Sequence, residues 1–289
     1  MIGRCRTQGY QQYRKLFQLS KTSIITPVYN GEAFINRHYE SVVSTVKSEF
    51  EIIYIDNNSA DCSVQFIEAL MACDNRVRLF HCKIQGASAA RNVGLSNSKG
   101  SVLCFLDVDD LFYDDVVNRQ ISLADSGIPS QCFVEIDKAG ETAPIWKSET
   151  DYNFYLNFGN QAPFSSFVTP FSQIRFNEAM QTSEDWLYIV ENRKYFGRIF
   201  LVHSVGRKYN STTGFSSRIS EDELLLTHAR AIAYFYSIHL EDAFHFLSRL
   251  YYNKTYKRLG FLETVKLVQQ FFGLRNYKSI YRLMRLFLV

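Results

Sequence analysis

The stretch SVLCFLDVDDLF, residues 101–112, joins an apolar run to three carboxylates within four positions. The apolar part, residues 102–106, has the length and composition of a buried strand. Asp107, Asp109 and Asp110 follow at its carboxyl end, where like charges repel one another and resist removal from water. Because such a cluster needs a compensating cation nearby, this stretch indicates both the fold and a candidate site.

Short β-rich runs alternate with helical patterns through the first half of the chain. Strands are predicted over 23–28, 51–56, 76–82 and 101–106, and helices over 31–48, 62–73 and 87–98. This alternation is typical of an α/β fold with a mostly parallel sheet covered by helices on both faces. Because ligands of open sheets bind beyond the carboxyl ends of the strands, we expect the loops 26–30, 56–59 and 107–110 to form one site.

The pattern becomes less regular after residue 125, and it predicts a partly antiparallel region followed by helices. Strands are predicted in CFVEIDKAG (132–140), SSFVTPFSQIRF (165–176) and RIFLVHSV (198–205), an amphipathic helix over 182–196, and four helical segments from 221 onward. The predicted organisation has a basic N-terminal segment, a main domain in two halves and a C-terminal helical extension. Their ranges are 1–21, 22–218 (halves 22–115 and 116–218) and 219–289.

The net charge of +3 conceals basic ends and an acidic body. Residues 1–21 carry five Lys and Arg and no acid, residues 249–289 carry nine against one acid, and residues 22–248 have a net charge of −10. The acidic body argues against nucleic acid as a partner. The last segment, 276–289, places basic and apolar side chains on separate helical stripes. That pattern suits either contact with an anionic membrane surface or packing against the protein.

The six cysteines form no CxxC pair and show no spacing typical of metal ligands. Cys82, Cys104 and Cys132 lie in apolar runs, so we expect a set of reduced thiols. The N-terminus lacks the apolar stretch of a secretory signal, and no run has the length of a membrane span. These features predict a cytoplasmic protein, either free or peripheral on the inner face of the membrane.

The Asp-x-Asp pattern taken alone has more than one interpretation. Carboxylate oxygens at a strand end suit Mg²⁺ or Mn²⁺, which proteins hold through one or two carboxylates together with phosphate oxygens and water. An acidic turn that caps a helix starting near Phe112 is the structural alternative. The pattern also loosely imitates the nucleophile motif of haloacid-dehalogenase-type phosphatases, but Leu111 occupies the fifth position and the motif follows the fourth strand.

Four segments together resemble the successive motifs of family 2 inverting glycosyltransferases, including those that build bacterial polysaccharides. They are ITPVYNGEAFI (25–35), IIYIDNNSAD (52–61), GASAARNVGLSNSKGSVLCFLDVDD (86–110) and, more weakly, SEDWLY (183–188). Their order and spacing are intact from about Thr22 to Asp115. The resemblance implies a GT-A, Rossmann-like fold, a nucleoside-diphosphate sugar as donor, and Mn²⁺ or Mg²⁺ as cofactor.

The resemblance implies a nucleotide-sugar pocket formed by residues of the first half. Matched position by position, its residues are Thr26, Pro27, Val28, Tyr29, Glu32, Asp56, Asn58, Arg91, Asp107 and Val108. Tyr29 offers a ring for stacking, and Asp56 would accept a hydrogen bond that suits uracil N3–H. Structural alternatives are a strand ended by Pro27, an Asx turn at Asp56 and a solvated helix arginine at Arg91. By the same resemblance, Asp109 would coordinate the metal, and Asp110 would support the site or cap the next helix.

The resemblance also implies that Glu184 and Asp185 are catalytic, with Asp185 as the base that removes the acceptor's proton. The local pattern Thr-Ser-Glu-Asp is equally a capping box, because acids are favoured in the first turn of a helix. The segment 205–218 lacks a histidine that many members of the family carry there. Arg207 and Lys208 could neutralise phosphate in its place, and the full set of metal ligands stays open.

The sequence therefore predicts an enzyme that moves a sugar from a nucleoside-diphosphate sugar, preferably a UDP-sugar, to an acceptor hydroxyl. The acceptor is expected to be a glycan or a lipid-linked saccharide, and the reaction a metal-assisted inverting displacement. A catalytically silent nucleotide-sugar-binding partner is the alternative, and the phosphatase is a more distant one. The sugar, the linkage and the formation of a homo-oligomer stay open.

Overall fold

A computed structural model of the chain describes residues 20–136, 141–143, 163–180 and 184–209. These ranges contain most of the predicted main domain. The predicted helical extension, the basic helix 276–289 and the residues Thr182 and Ser183 of the capping-box pattern lie outside them. None of the described helices has the length and apolar character needed to cross a membrane.

One sheet and five α-helices account for the regular structure of the described residues. The strands are β1 (Ser20–Val28), β2 (Phe50–Asp56), β3 (Val77–His81), β4 (Gly100–Phe105), β5 (Leu111–Phe112), β6 (Ser130–Ile136), β7 (Glu141–Ala143), β8 (Phe167–Pro170) and β9 (Phe200–Tyr209). The helices are α1 (Glu32–Thr45), α2 (Ser63–Cys73), α3 (Ala87–Asn97), α4 (Val116–Asp125) and α5 (Glu184–Phe196). A single 3₁₀ turn covers Phe164–Ser166.

The strand order is β3-β2-β1-β4-β8-β6-β9-β5, with β7 paired to β6. The first four strands in this order are parallel, which confirms the α/β prediction for the first half. Beyond them, β8 runs antiparallel to both β4 and β6, so the second half is the mixed region that the sequence predicts. In the parallel half Val28 pairs with Asp56 and Asp56 with His81, which brings three strand ends level.

Three of the parallel strands, β1, β2 and β4, are buried on both faces, because successive side chains point to opposite sides of the sheet and helices cover both sides. Ile24 belongs to the apolar layer that α1 and α4 cover, and Ile25 belongs to the layer beneath α3 and α5. Gly94 lets α3 approach the sheet closely, since a Cβ there would lie 2.5 Å from Cγ2 of Ile25. This two-sided burial makes the strands a rigid base for the loops at their carboxyl ends. Cys82, Cys104 and Cys132 are buried, as predicted.

The structure corrects two predicted elements. The helix expected near Phe112 begins at Val116, and Leu111–Phe112 is instead a short strand paired with β9. Asp110 lies six residues before that helix and therefore does not cap it. The strand predicted over 165–176 is limited to β8, because it starts after the 3₁₀ turn and ends at Pro170.

Candidate active site

Three loops meet at the carboxyl edge of β1, β2 and β4, as the sequence predicts. The backbone N–H of Asn30 donates to Oγ of Ser59 at 3.1 Å, and its side-chain oxygen accepts from the N–H of Ala60 at 2.8 Å. Gly31 lies so close to Val108 that an added Cβ would be 3.0 Å from its Cγ1. The first loop is thus hydrogen-bonded to the second and packed against the third.

The residues at the end of β1 and the start of α1 have different degrees of exposure. Val28 is fully buried and Pro27 is half-buried, whereas Tyr29 exposes 48% of its surface at the edge of the site. Glu32 begins α1, and its backbone N–H donates to Oδ2 of Asp61 at 3.0 Å. Of the predicted pocket residues here, Tyr29 is the one whose ring is open to a ligand.

The hydroxyl of Thr26 is directed into the protein. Thr26 is fully buried, and its Oγ1 lies 3.2 Å from Nε2 of His38, whose Nδ1 lies 2.9 Å from Oη of Tyr54. Burial lowers the pKa of His38 to about 4, although the Leu106 backbone and the charge of Asp107 act to raise it. His38 is therefore neutral at physiological pH and belongs to an internal hydrogen-bond network.

Asp56 ends β2, and both of its carboxylate oxygens contact neighbours. Oδ1 accepts from the N–H of Ser59 at 3.1 Å, and Oδ2 lies 3.3 Å from Nδ1 of His81. Asp56 thus accepts from the N–H three residues on, which differs from the i to i+2 bond of the Asx turn considered for it, and α2 starts only at Ser63. Because a carboxylate has about four lone-pair positions, Asp56 can accept a further hydrogen bond from a ligand.

Two asparagines after Asp56 fix the loop between β3 and α3. The amide of Asn57 donates to the carbonyl of Ile84 at 2.7 Å, and its oxygen accepts from the N–H of Gly86 at 2.8 Å. Asn58 has a left-handed backbone (φ 67°) and donates to Oε1 of Gln85 at 3.0 Å. The predicted pocket residue Asn58 is exposed, while its neighbour Asn57 is the buried anchor that the sequence analysis missed.

The acidic segment leaves the sheet directly after β4, and its three carboxylates lie in different environments. The Asp107 side chain is 36% exposed, Asp109 is half-buried, and Asp110 is 1% exposed. A turn closes the segment, since the N–H of Asp110 donates to the carbonyl of Asp107 at 3.0 Å. Two of the acids are therefore accessible at the edge of the sheet, and the third belongs to the interior.

Arg91 is the cation that compensates this cluster. It is 5% exposed on α3, and its Nη2 lies 3.0 Å from Oδ1 of Asp107, while its Nη1 lies 3.1 Å from Oε1 of Glu184. The guanidinium also lies over the ring of Phe164, 4.9 Å from its centroid. Burial acts to lower the pKa of Arg91, but the two carboxylates outweigh it and raise the pKa. A solvated helix arginine is therefore the wrong interpretation.

Glu184 and Asp185 form the first turn of α5, where the helix dipole favours acids. Burial, and then the charge of Asp185, raise the pKa of Glu184 to about 7, while Arg91 opposes the shift. The carboxylate of Asp185 is half-buried and accepts from the N–H of Trp186 at 2.6 Å. The contact with Arg91 brings the start of α5 to the acidic segment.

A cluster of aromatic rings supports this junction. Its members are Phe105, Phe164, Phe167, Phe176 and Tyr188. Tyr188 of α5 stacks on Phe176 with centroids 4.2 Å apart, and Asn92 holds Phe176 through its backbone N–H at 2.9 Å. The sequence does not predict this cluster, because its residues come from separate segments of the chain. The position of Asn92 next to Arg91 was the available signal.

Arg207 does not serve as a phosphate ligand. It is fully buried, its Nε donates to the carbonyl of Ser165 at 2.7 Å, and its guanidinium lies 4.3 Å from the centroid of Phe112. The prediction for Arg207 is wrong because its side chain is directed into the core behind β4. Lys208 is half-buried, with its ammonium 4.9 Å from the ring centroid of Tyr113.

The carboxylates of the site fit a metal ion that binds together with a diphosphate. Within the described ranges, no group of three or more His, Cys, Asp or Glu side chains is placed to hold a metal ion. Asp107 and Asp109 are partly exposed and adjacent to the loops of the site. Mg²⁺ and Mn²⁺ need only one or two carboxylates when phosphate oxygens and water complete the coordination shell.

This sheet, with three loops that meet at its carboxyl edge and an acidic segment after β4, defines a protein of the GT-A glycosyltransferase fold. Residues 23–190 match the family described as Glycosyl transferase family 2. The chain belongs to that family, which confirms the resemblance found in its sequence. The motif that resembles a phosphatase nucleophile is therefore part of a glycosyltransferase domain.

Relatives and solved structures agree with this assignment. An uncharacterized glycosyltransferase of Rickettsia felis is 40% identical over 102 residues, which are 35% of this chain and 17% of that protein. One of Haemophilus influenzae is 39% identical over 101 residues, covering 35% of this chain and 40% of the relative. The matches thus span less than half of either relative. Among solved structures, that of S. aureus TarS 1–349 in complex with UDP-GlcNAc superposes on this chain with a TM-score of 0.58 at 18% identity. The match covers 74% of this chain and 65% of the TarS chain, and it shows that the two share a fold.

Proposed function

We propose that the protein transfers a sugar from a UDP-sugar to a hydroxyl of a glycan or a lipid-linked saccharide, with inversion at the anomeric carbon. The bridge made by Arg91 carries this proposal. One buried guanidinium contacts both Asp107, on the side of the nucleotide pocket, and Glu184, next to the proposed base. Groups for donor binding and for proton removal therefore belong to one site.

A UDP-sugar is the donor that the nucleotide side of the site suits best. Tyr29 presents an exposed ring for stacking on a base. Asp56 is an acceptor at the end of β2, and an ionised carboxylate pairs with the N3–H of uracil. TarS, which shares the fold, was solved in complex with UDP-GlcNAc, and this supports the same class of donor here.

Asp109 is the residue that would hold Mn²⁺ or Mg²⁺. When bound, the ion supplies electrostatic stabilisation of the negative charge that develops on the leaving diphosphate. Arg91 fixes the orientation of Asp107, on the nucleotide side of the site, through contacts of 3.0 and 3.3 Å. Because β1 pairs in parallel with both β4 and β2, the carboxylates follow a strand that ends at the same edge of the sheet as the strands leading to Tyr29 and Asp56.

Asp185 is the proposed base. As the acceptor oxygen attacks the anomeric carbon, its proton passes to the Asp185 carboxylate and the bond between that carbon and the diphosphate oxygen breaks. A single displacement of this kind inverts the configuration. Glu184 positions the first turn of α5 through Arg91, and the N–H of Trp186 orients the Asp185 carboxylate.

We also propose that the acceptor is reached at an anionic membrane surface. Residues 249–289, which lie outside the described ranges, carry nine Lys and Arg and one acid, and this basic charge supports the proposal. Cosedimentation with phosphatidylglycerol vesicles and with neutral vesicles tests the point. We expect binding to the anionic vesicles only, and equal binding to both kinds would contradict the proposal.

The test of the transfer reaction is a screen of nucleotide-sugar donors by release of nucleotide with Mn²⁺ or Mg²⁺. We expect metal-dependent release from a UDP-sugar, a fall of at least about 100-fold in Asp109→Ala, and loss of transfer with retained UDP binding in Asp185→Asn. Transfer at the parental rate by Asp185→Asn would show that another group is the base. Binding of UDP without turnover on a broad acceptor panel would favour a silent nucleotide-sugar binder.

A further inference from the structure

Helix α1 and its N-cap Gly31 contact the acidic segment at three points. Gly31 packs against Val108, Nη2 of Arg37 donates to the carbonyl of Asp109 at 3.3 Å, and the N–H of Phe112 donates to Oγ of Ser41 at 3.1 Å. Both polar contacts are made to backbone atoms, so this helix holds the backbone of residues 108–112.

His38 lies on the same helix and joins it to two strand ends. Its ring is fully buried, with Nε2 3.2 Å from Oγ1 of Thr26 near the end of β1 and Nδ1 2.9 Å from Oη of Tyr54 near the end of β2. Because these hydrogen bonds are directional, the ring fixes α1, and with it the acidic segment that α1 holds, relative to both strand ends. An apolar side chain of similar volume would fill the space without fixing them.

A purely structural role does not account for the residue at this position. His38 shares the buried face of α1 with Ile35 and Val42, where an apolar side chain satisfies the packing. Burying a polar ring costs free energy unless its nitrogens are hydrogen-bonded, and here each nitrogen has a partner. A hydrogen-bonded histidine therefore restricts the position of the backbone more than an apolar side chain would, and it does so where the loop 26–30 and the acidic segment meet.

We propose that His38 is a positioning residue for the donor site, which locks the loop 26–30 and the segment 106–110 in one relative arrangement. This inference rests on the proposed function, since that function assigns these two segments to the nucleoside and to the metal with its diphosphate. Without the ring, donor binding has to order the two segments itself. An ordering cost of about 1 kcal/mol weakens binding about fivefold.

The test compares His38→Leu and His38→Gln with the parent. UDP affinity is measured by calorimetry with Mn²⁺, donor KM and kcat are measured by turnover, and backbone hydrogen exchange is measured without any ligand. We expect His38→Leu to weaken UDP binding and raise KM at least about fivefold with a smaller change in kcat. Exchange at 26–30 and 106–112 should become faster, and His38→Gln, which keeps a donor and an acceptor, should restore most of both properties.

Glu51→Gln is the matched control, because it perturbs a buried polar cluster at the opposite edge of the same sheet. It should leave UDP affinity and exchange at the two segments unchanged. Tyr54→Phe removes one of the ring's partners and keeps the ring, so it should give a smaller shift in the same direction even if His38→Leu does not fold.

The inference is overturned if folded His38→Leu, or Tyr54→Phe in its place, binds UDP as tightly as the parent and exchanges no faster at either segment. It is also overturned if Glu51→Gln gives the same changes, since the effect would then be general destabilisation. A parent that binds no UDP with any divalent metal would contradict the proposed donor, and the exchange measurements would still decide the role of His38.

Discussion

The two edges of the parallel sheet each carry a buried ion pair, and the pairs are built differently. At the amino edge, Oε2 of Glu51 lies 2.6 Å from Nη1 of Arg78. Its Oε1 accepts hydrogen bonds of 2.7 Å from the hydroxyl of Ser23 and from the N–H of Lys99. One acid is paired with one base, and one hydroxyl and one backbone N–H donate further hydrogen bonds to the acid.

At the carboxyl edge, the single guanidinium of Arg91 pairs with two carboxylates from different halves of the domain. Burial, and then the charge of Asp185, raise the pKa of Glu184 to about 7 in spite of Arg91. The amino edge therefore stabilises the fold with balanced charges, whereas the carboxyl edge keeps accessible carboxylates that favour a cation. Accessible carboxylates that share one cation, more than the presence of an ion pair, therefore distinguish the candidate site from a structural cluster.

Removing Arg91 should have the largest effect. Arg91→Met leaves Asp107 and Glu184 without their shared partner, so the free energy of unfolding should fall by about 3 kcal/mol. Nucleotide release should fall at least about 100-fold. Urea unfolding and a release assay measure the two effects. Arg91→Lys, which keeps the charge without the forked geometry, should recover part of the stability. Turnover near the parental rate in Arg91→Met would show that the ion pairs at both edges only stabilise the fold.

The corresponding change at the amino edge should affect stability alone. Arg78→Met leaves the buried carboxylate of Glu51 with its hydrogen bonds but without its cation, and the Arg78 side chain is 24% exposed. The free energy of unfolding should therefore fall by about 1–2 kcal/mol, less than for Arg91. Activity per folded molecule, measured where both proteins are folded, should not change. Loss of donor binding in this variant would show that the two edges are coupled.

The smallest expected effect is a difference in the pH dependence of stability. Because the folded-state pKa of Glu184 is raised from 4.5 to about 7, the folded protein holds a proton that the unfolded chain releases in this range. Its contribution makes stability fall as pH rises from about 4.5 to about 7. Because Glu184 is partly exposed, we expect its contribution to change the free energy of unfolding by only about 1–2 kcal/mol over this range.

Glu184→Gln isolates this contribution, since the unfolding free energy of the variant should lack that fall. His38 acts in the opposite direction, because its lowered pKa makes the parent less stable as pH falls from 6.5 to about 4. Parallel pH profiles of Glu184→Gln and the parent would show that Glu184 is compensated as fully as Glu51.

The sequence predicts the parallel half of the fold and the meeting of its loops because both follow from short-range patterns. The alternation of strands and helices requires the carboxyl ends to share one edge, and the crowding of Asp107, Asp109 and Asp110 requires a cation. Arg91 meets that requirement in the structure. Its burial follows from contact with rings of the second half, which the local pattern around Ala-Arg-Asn does not show.

The second half is harder to predict because its contacts join distant segments. The insertion of β8 between β4 and β6 and the pairing of β5 with β9 have no local signal. His38 is different, since it lies at the helical spacing of Ile35 and Val42, and a polar residue on that face indicates a buried partner. Arg207 looks exposed in a polar stretch of sequence, yet the pairing of β9 with β6 buries it.

The binding of UDP with and without Mn²⁺, measured by calorimetry for the parent, Asp109→Ala and Arg78→Met, tests the metal-dependent donor site most directly. We expect metal-dependent binding in the parent and in Arg78→Met, and weak, metal-independent binding in Asp109→Ala. Equal binding of UDP by the parent in the presence and absence of Mn²⁺, or parental binding by Asp109→Ala, would show that Asp109 does not hold a metal ion for the donor.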